Sequence, residues 1–288
     1  MLVKVSSGKP LFIIFVLFFF VACTPRALIR YYPNIIEKSL TNKIKTLESS
    51  FNNNDLSDEQ LLELIQFKVQ YGYGYLLEQA DRVQDDNYFM AINLQDRAQL
   101  VFIEAIGLAK DELVNRHHSF NDWLNKPLSS NIDFSRKDVP IIYWLAAAYG
   151  GIISSSRANP KWVIHLPKIG ILLEAGIQID PTWNYGALYS AMISFTASRP
   201  DAPVDVREVA QSYFDLAIQV SKKQDAAPYL AFAENISVKE QNKIEFMTLT
   251  NFVLKMDINK NPDLRLSNII SQERARWLQS KVDDLFYE

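Results

Sequence analysis

Three histidines, a serine run and one cysteine are the residues here whose types could carry chemistry, and their spacing withholds most of it. His117 and His118 are neighbours, so on a helix they point to different faces and cannot share a metal ion as residues four apart do. They stand where a helical pattern meets a polar stretch and read as a solvated helix end. His165 lies far from both, and the sequence contains no HExxH. With Cys23 the sole cysteine, a structural zinc site lacks ligands, so no metal is expected. Ser154-Ser155-Ser156 has no evident base and no GxSxG frame, and reads as the end of a helix. Neither GxxxxGK[ST] nor GxGxxG occurs; Tyr71-Gly72-Tyr73-Gly74-Tyr75 holds only a GxG, inside a helical pattern rather than after a strand. Glu273-Arg274-Ala275-Arg276 reads as a solvated helix face. No catalytic residue, no cofactor and no enzymatic activity are expected.

The aromatic residues offer a different chemistry. Tyr71, Tyr75, Tyr143, Trp144, Trp162, Trp183 and Tyr185 concentrate on successive helical patterns and the turns beside them. Such side chains either pack a helical core or line a concave face, where they meet an apolar ligand or a partner's loop. The sequence does not sort one from the other.

The beginning of the chain gives the compartment. Lys4 and Lys9 precede Leu11 to Ala22, LFIIFVLFFFVA, a run of apolar residues that fits the core of an export signal. It is shorter than the roughly 20 residues of a membrane-spanning helix. Phe20-Val21-Ala22-Cys23 resembles a lipobox, with Phe20 where Leu is favoured. The expectation is a signal peptide over 1–22, lipid attachment at Cys23 and a linker over 23–30. Two acyl chains anchor a protein stably without a spanning helix. Thr24, not Asp, follows the cysteine, which resembles the sorting rule for the outer membrane in many Gram-negative bacteria. The location expected is therefore the periplasm, held to the outer rather than the inner membrane.

Without 1–22 the chain loses two lysines, so 30 basic residues become 28 against 33 acidic ones, a balance of −5. That disfavours nucleic acid, which requires a basic face.

The positioning elements read as helices throughout 31–288. Ala98, Phe102, Ala105 and Ala109 recur at steps of four, three and four, with Val101 and Leu108 widening the stripe. Val206, Ala210, Tyr213, Phe214, Ala217 and Val220 repeat the arrangement. No apolar–polar alternation with hairpin turns suggests a sheet. Ser57-Asp58-Glu59-Gln60 is a capping box, and Asn159-Pro160 a cap followed by proline at the first helical position. Asp180-Pro181, Arg199-Pro200, Ala227-Pro228 and Asn261-Pro262 mark joints, and Pro167 a kink or a new start. These divide the chain into helix pairs at about 31–83, 88–118, 139–180, 182–222 and 226–285, with a long loop over 119–138. Each pair sets an aromatic, glycine-bearing helix beside an alanine-rich one. In the C-terminal half the pairs recur about every 40 residues, against 34 for a plain tetratricopeptide repeat. Eight of the nine glycines fall in helical patterns. Each costs roughly 1 kcal/mol relative to alanine, which is reasonable where helices cross too closely for a Cβ. Gly150, Gly176 and Gly186 are expected at such crossings. The fold class is all-α, an array of antiparallel helix pairs forming a solenoid that resembles tetratricopeptide repeats.

LEAGIQIDP (Leu173–Pro181) resembles the end of a tetratricopeptide unit. Together with YGYGYLLEQA (Tyr71–Ala80), VPIIYWLAAAYGG (Val139–Gly151), NPKWVIHLPKI (Asn159–Ile169) and RLSNIISQERARWL (Arg265–Leu278), it resembles the T component of TRAP-transporter-associated proteins, the TatT-type lipoproteins. The resemblance runs from about Tyr31 to Leu278. It implies a periplasmic helical lipoprotein with a cavity or pore, which associates with the solute-binding protein of a TRAP-type transporter. It further implies a homo-oligomer and a hydrophobic or organic-acid ligand, and supplies no catalytic residues. The alternative is a general envelope scaffold that holds other proteins through its repeats.

Overall fold

Ser57 starts the second helix as its neighbours dictate. Its hydroxyl accepts the backbone N–H of Gln60, and the Gln60 side chain accepts the N–H of Ser57. Similar local chemistry divides the whole chain. Asn87, Asp205 and Asn242 each accept an N–H three residues on, and Asn159 accepts that of Lys161 before Pro160. A computed structural model describes residues 33–53, 55–127, 131–199 and 204–287. Cys23 and the export signal lie outside the described residues.

The elements are α1 (Pro33–Asn52), α2 (Asp58–Tyr71), a π-helical turn (Gly72–Leu77), α3 (Glu78–Val83), α4 (Tyr88–Arg116), α5 (Phe120–Asn125), α6 (Val139–Ser155), α7 (Pro160–Val163), α8 (Leu166–Ile179), a 3-10 turn (Trp183–Gly186), α9 (Ala187–Ser198), α10 (Val206–Val220), α11 (Ala227–Phe232), a second π-helical turn (Ala233–Ser237), α12 (Lys243–Lys255), α13 (Arg265–Ser280) and α14 (Val282–Leu285). No strand occurs among the described residues, and the fold is an all-α array of packed helices. Neighbours in sequence pack as neighbours in space: α1 on α2, α2 on α4, α4 on α6, α6 on α8, α8 on α9, α9 on α10 and α11, and α12 on α13. Pro167 starts α8, as a proline in the first turn can. The stretch Pro160–Ile179 is apolar enough to cross a membrane by length and composition. A break between α7 and α8 interrupts it, and Leu166, Ile169, Leu172 and Leu173 bury α8 in the core.

The alanine stripe of α4 is buried as its spacing requires, with Ala98, Phe102, Ala105 and Ala109 all inaccessible. Three apolar clusters follow the chain. An N-terminal cluster joins α1, α2, α4 and α6; a middle one joins α4, α5, α6, α8 and α9; a C-terminal one joins α9 to α14. Ile106, Leu108, Trp144 and Ile153 pack against both the first and the second, and Tyr213 against both the second and the third. Lys68, almost wholly buried on α2, ties α1 to α4 through Glu48 and Glu104.

Four expectations need correction. The stretch 119–138 is not simply a loop. Phe120, Trp123 and Leu124, at helical spacing, bury α5 in the middle cluster, and Phe134 packs edge-on against Trp123. His117 is no solvated helix end: its Nε2 stands 3.2 Å from Asp138 Oδ2, beneath the edge of Phe134. Glu273-Arg274-Ala275-Arg276 is no solvated face either, since Ala275 is inaccessible and Arg274 spans two ends of the fold, as described below. Gly186, finally, is not inside a helix. It ends a 3-10 turn at φ +85°, the left-handed region that glycine enters without a steric penalty, and caps the start of α9. Gly176 does sit at a crossing, against Leu188, while Gly150 is only half-buried, beside the Tyr73 hydroxyl.

Candidate functional site

The aromatic residues separate into groups with different work. Tyr71 and Tyr75 lie on successive turns of one helix, ring centroids 5.8 Å apart, and both are buried. Their hydroxyls donate to the two carboxylate oxygens of Glu37 on α1, at 2.9 and 3.0 Å. Arg97 of α4 donates to Glu37 Oε1 and to the Tyr71 hydroxyl, each at 2.6 Å. Burial pushes both phenols up to about 12, and the Glu37 charge adds to it. Burial also pushes the Glu37 carboxyl up, but the bonds from Arg97, Tyr71 and Tyr75 outweigh it and hold the group below its usual range. This node fastens α1 to α2 and α4, so neither tyrosine lies on an open face.

Tyr143, Trp144 and Trp183 come together. The Tyr143 ring stands 5.0 Å from Trp144 and 4.8 Å from Trp183. Tyr73, which the sequence did not single out, joins them from the first π-turn. Its hydroxyl donates to Ala147 O at 3.0 Å, and its ring meets Phe102 edge-on. Tyr73 keeps 37% of its surface open to water, yet its phenol is strongly desolvated, and the Tyr143 phenol pushes it higher still. Tyr143 is pushed up to about 12 by burial first and then by Asp225. Asp225, in the turn between α10 and α11, is buried and raised by that burial, against bonds from the Ala226 and Ala227 N–H groups. The group therefore sets phenols and indoles together, with the Asp225 carboxylate near enough to act on Tyr143.

Trp162 and Tyr185 join neither group. Trp162 meets His165 at a tilt, ring centroids 6.1 Å apart, with Lys161 over its ring, and the Tyr185 hydroxyl donates to Asp263 at 2.6 Å. Beside Trp162, the turns around α7 form one wall of a groove of about 600 Å³. Val163, Ile164, Pro167, Ile171 and Phe195 line it, with Glu174 and Arg199 at its rim. The Arg199 guanidinium lies 5.2 Å over the Phe195 ring. Gly170 belongs to the same wall: a Cβ there would fall 2.5 Å from Phe195 Cζ, so glycine lets α8 and α9 close the floor. Apolar walls with charge only at the rim suit an amphiphile better than a polar metabolite. The sequence missed the groove because its residues come from three elements and are individually ordinary core types.

Among the described residues no group of His, Cys, Asp or Glu is gathered as metal ligands. A family model described as TRAP transporter T-component matches residues 32–286. An uncharacterized protein of Treponema pallidum (strain Nichols) is 20% identical over 263 residues, which covers 88% of this chain and 80% of that protein. The family is one of transporter components rather than of enzymes.

Proposed function

We propose that this chain, which belongs to the TRAP transporter T-component family, is a membrane-anchored periplasmic docking lipoprotein that associates with the solute-binding protein of a TRAP-type transporter and holds a hydrophobic or organic-acid ligand. Membership gives it a role accessory to TRAP transport. The observation that carries the ligand class is the apolar groove of about 600 Å³ with Arg199 at its rim. An alkyl or aryl body would be desolvated along Ile164, Ile171 and Phe195, while an acidic head stayed at the mouth near the guanidinium. A lipid at Cys23 would hold this face beside a membrane, where a soluble carrier can meet it.

Ile164 is 70% exposed at the groove, so Ile164→Glu perturbs the groove without opening the core. The test captures the solute-binding protein encoded nearest to this chain and measures, by native mass spectrometry, any amphiphile that co-purifies. The expected outcome is capture at micromolar concentration and loss of the amphiphile in Ile164→Glu. If no TRAP component is captured, the envelope-scaffold reading replaces the transporter one. An amphiphile retained at full occupancy in Ile164→Glu removes the groove from the account.

A further inference from the structure

The array curves until its ends touch, and the contact there differs from every other junction in the fold. Arg274 of α13 reaches across to α3, with Nη1 2.7 Å from Asp81 Oδ2 and 3.2 Å from Glu78 Oε1. Its Nη2 stands 2.7 Å from Glu234 Oε2 on its own side, and its guanidinium lies 4.5 Å over the Trp277 ring. Lys281 adds a second crossing pair, 2.6 Å from Asp85. These partners lie 193 and 196 residues apart in sequence. Each of the other long junctions shares apolar side chains between neighbouring clusters. Among the described residues, none is shared between the N-terminal and C-terminal clusters. A shallow cleft of about 280 Å³ runs along this seam.

Two of the three carboxylates around Arg274, one from each side, are set by π-helical turns. Glu78 follows Gly72–Leu77 directly, and Glu234 lies within Ala233–Ser237. A π-turn shifts the register of a helix, and such turns recur at functional positions.

We propose that the array is a clasp, in which α3 and α13 are latched across this seam by Arg274 and Lys281 and separate as packed arms, widening the cleft between them. Ion pairs suit that work, because they form and break without unpacking a core. The Lys281–Asp85 pair is the more open and is worth little, Arg274 at 18% exposure carries most of the hold, and each arm keeps its own apolar cluster when they part. Opening leaves Glu78 and Asp81 facing water on one arm and Glu234 on the other. The remaining charges at the seam are Arg82, which pairs with Glu78, and Asp284, 3.6 Å from Lys281.

The test is hydrogen exchange read by mass spectrometry on the purified full chain in detergent, corrected for intrinsic rates. Arg274→Ala leaves three carboxylates clustered without their cation. At pH 7, peptides covering 78–85 and 265–285 should exchange about tenfold faster or more, while those of α6 and α8 keep their rates. At pH 3, about a unit below the ordinary carboxylate values near 4, the carboxylates are largely neutral, and that excess should shrink. Arg274→Lys should restore part of the protection. In the unaltered chain, raising salt from 0.1 to 1 M shortens the screening length from about 10 to 3 Å, and should loosen the same two peptides selectively. A seam rate within twofold of the parent in Arg274→Ala overturns the clasp. So does equal acceleration of every helix, or an excess that persists at pH 3. If Arg274→Ala does not fold, the salt series decides: selective loosening at the seam supports the clasp, and none overturns it.

Discussion

The ring of Phe102 should answer a two-sided test of how closely these helices pack. It is inaccessible, and its tip fills the space that side chains would occupy on two other segments. A Cβ on Gly151 of α6 would lie 2.3, 2.4 and 2.6 Å from Phe102 Cζ, Cε1 and Cε2. One on Gly72, in the first π-turn, would lie 2.4 and 2.6 Å from Cζ and Cε1. Carbon atoms rest about 3.5–4.0 Å apart, so Gly151→Ala asks the ring to retreat by roughly 1 Å within a filled core. Overpacking of this kind costs about 1–3 kcal/mol, and alanine's helix propensity returns up to about 1. The net expectation is a loss of about 1–2 kcal/mol. Gly107 is the control. It lies in the middle of α4, where a Cβ would meet nothing within 4 Å, so Gly107→Ala should stabilise by about 0.5–1 kcal/mol. Urea unfolding followed by circular dichroism reads both as shifts of midpoint at constant slope. Phe102→Leu shortens the offending side chain, so its combination with Gly151→Ala should lose about 1 kcal/mol less than the two single losses added. The reasoning is refuted if Gly151→Ala is neutral or stabilising, or if the pair is additive within about 0.5 kcal/mol.

Three further outcomes are expected. Glu37 is held below its ordinary value of 4.5, so its hold on α1 is complete above that pH and lost as pH falls through the depressed value; proteolysis within α1 should therefore rise in acid, and Glu37→Ala should show the same cleavage already at neutral pH. Gly186→Ala forces a side chain into a left-handed position with Val220 Cβ 3.3 Å away, and should cost about 1–2 kcal/mol by urea unfolding, whereas Gly74→Ala, with open space around it, should show no steric loss. Cys23→Ser should leave the precursor unprocessed and unlipidated on a mass measurement; mature protein of unchanged mass still partitioning with membranes would remove the lipobox reading.

Local physics made much of this protein legible from its residues. Ser57, Asn159, Pro167 and the Asp180-Pro181 stop act within a few residues of themselves, so their effect on helix boundaries needs no partner. The stripe Ala98, Phe102, Ala105 and Ala109 reports a buried face because the helical period alone places those side chains together. The resemblance to the T-component family was legible for the same reason, since order and spacing of helices are properties of the chain. Contacts across long sequence separations were not. Tyr71 and Tyr143 look alike as aromatic residues on glycine-bearing helices, yet one is fastened to Glu37 and the other packs on Trp144 and Trp183, because α1 covers one side of α2 and not α6. Glu273-Arg274-Ala275-Arg276 has the composition of a solvated face. Only the curvature of the whole array carries Arg274 to Asp81, and that curvature sums many small helix–helix angles that no single residue encodes.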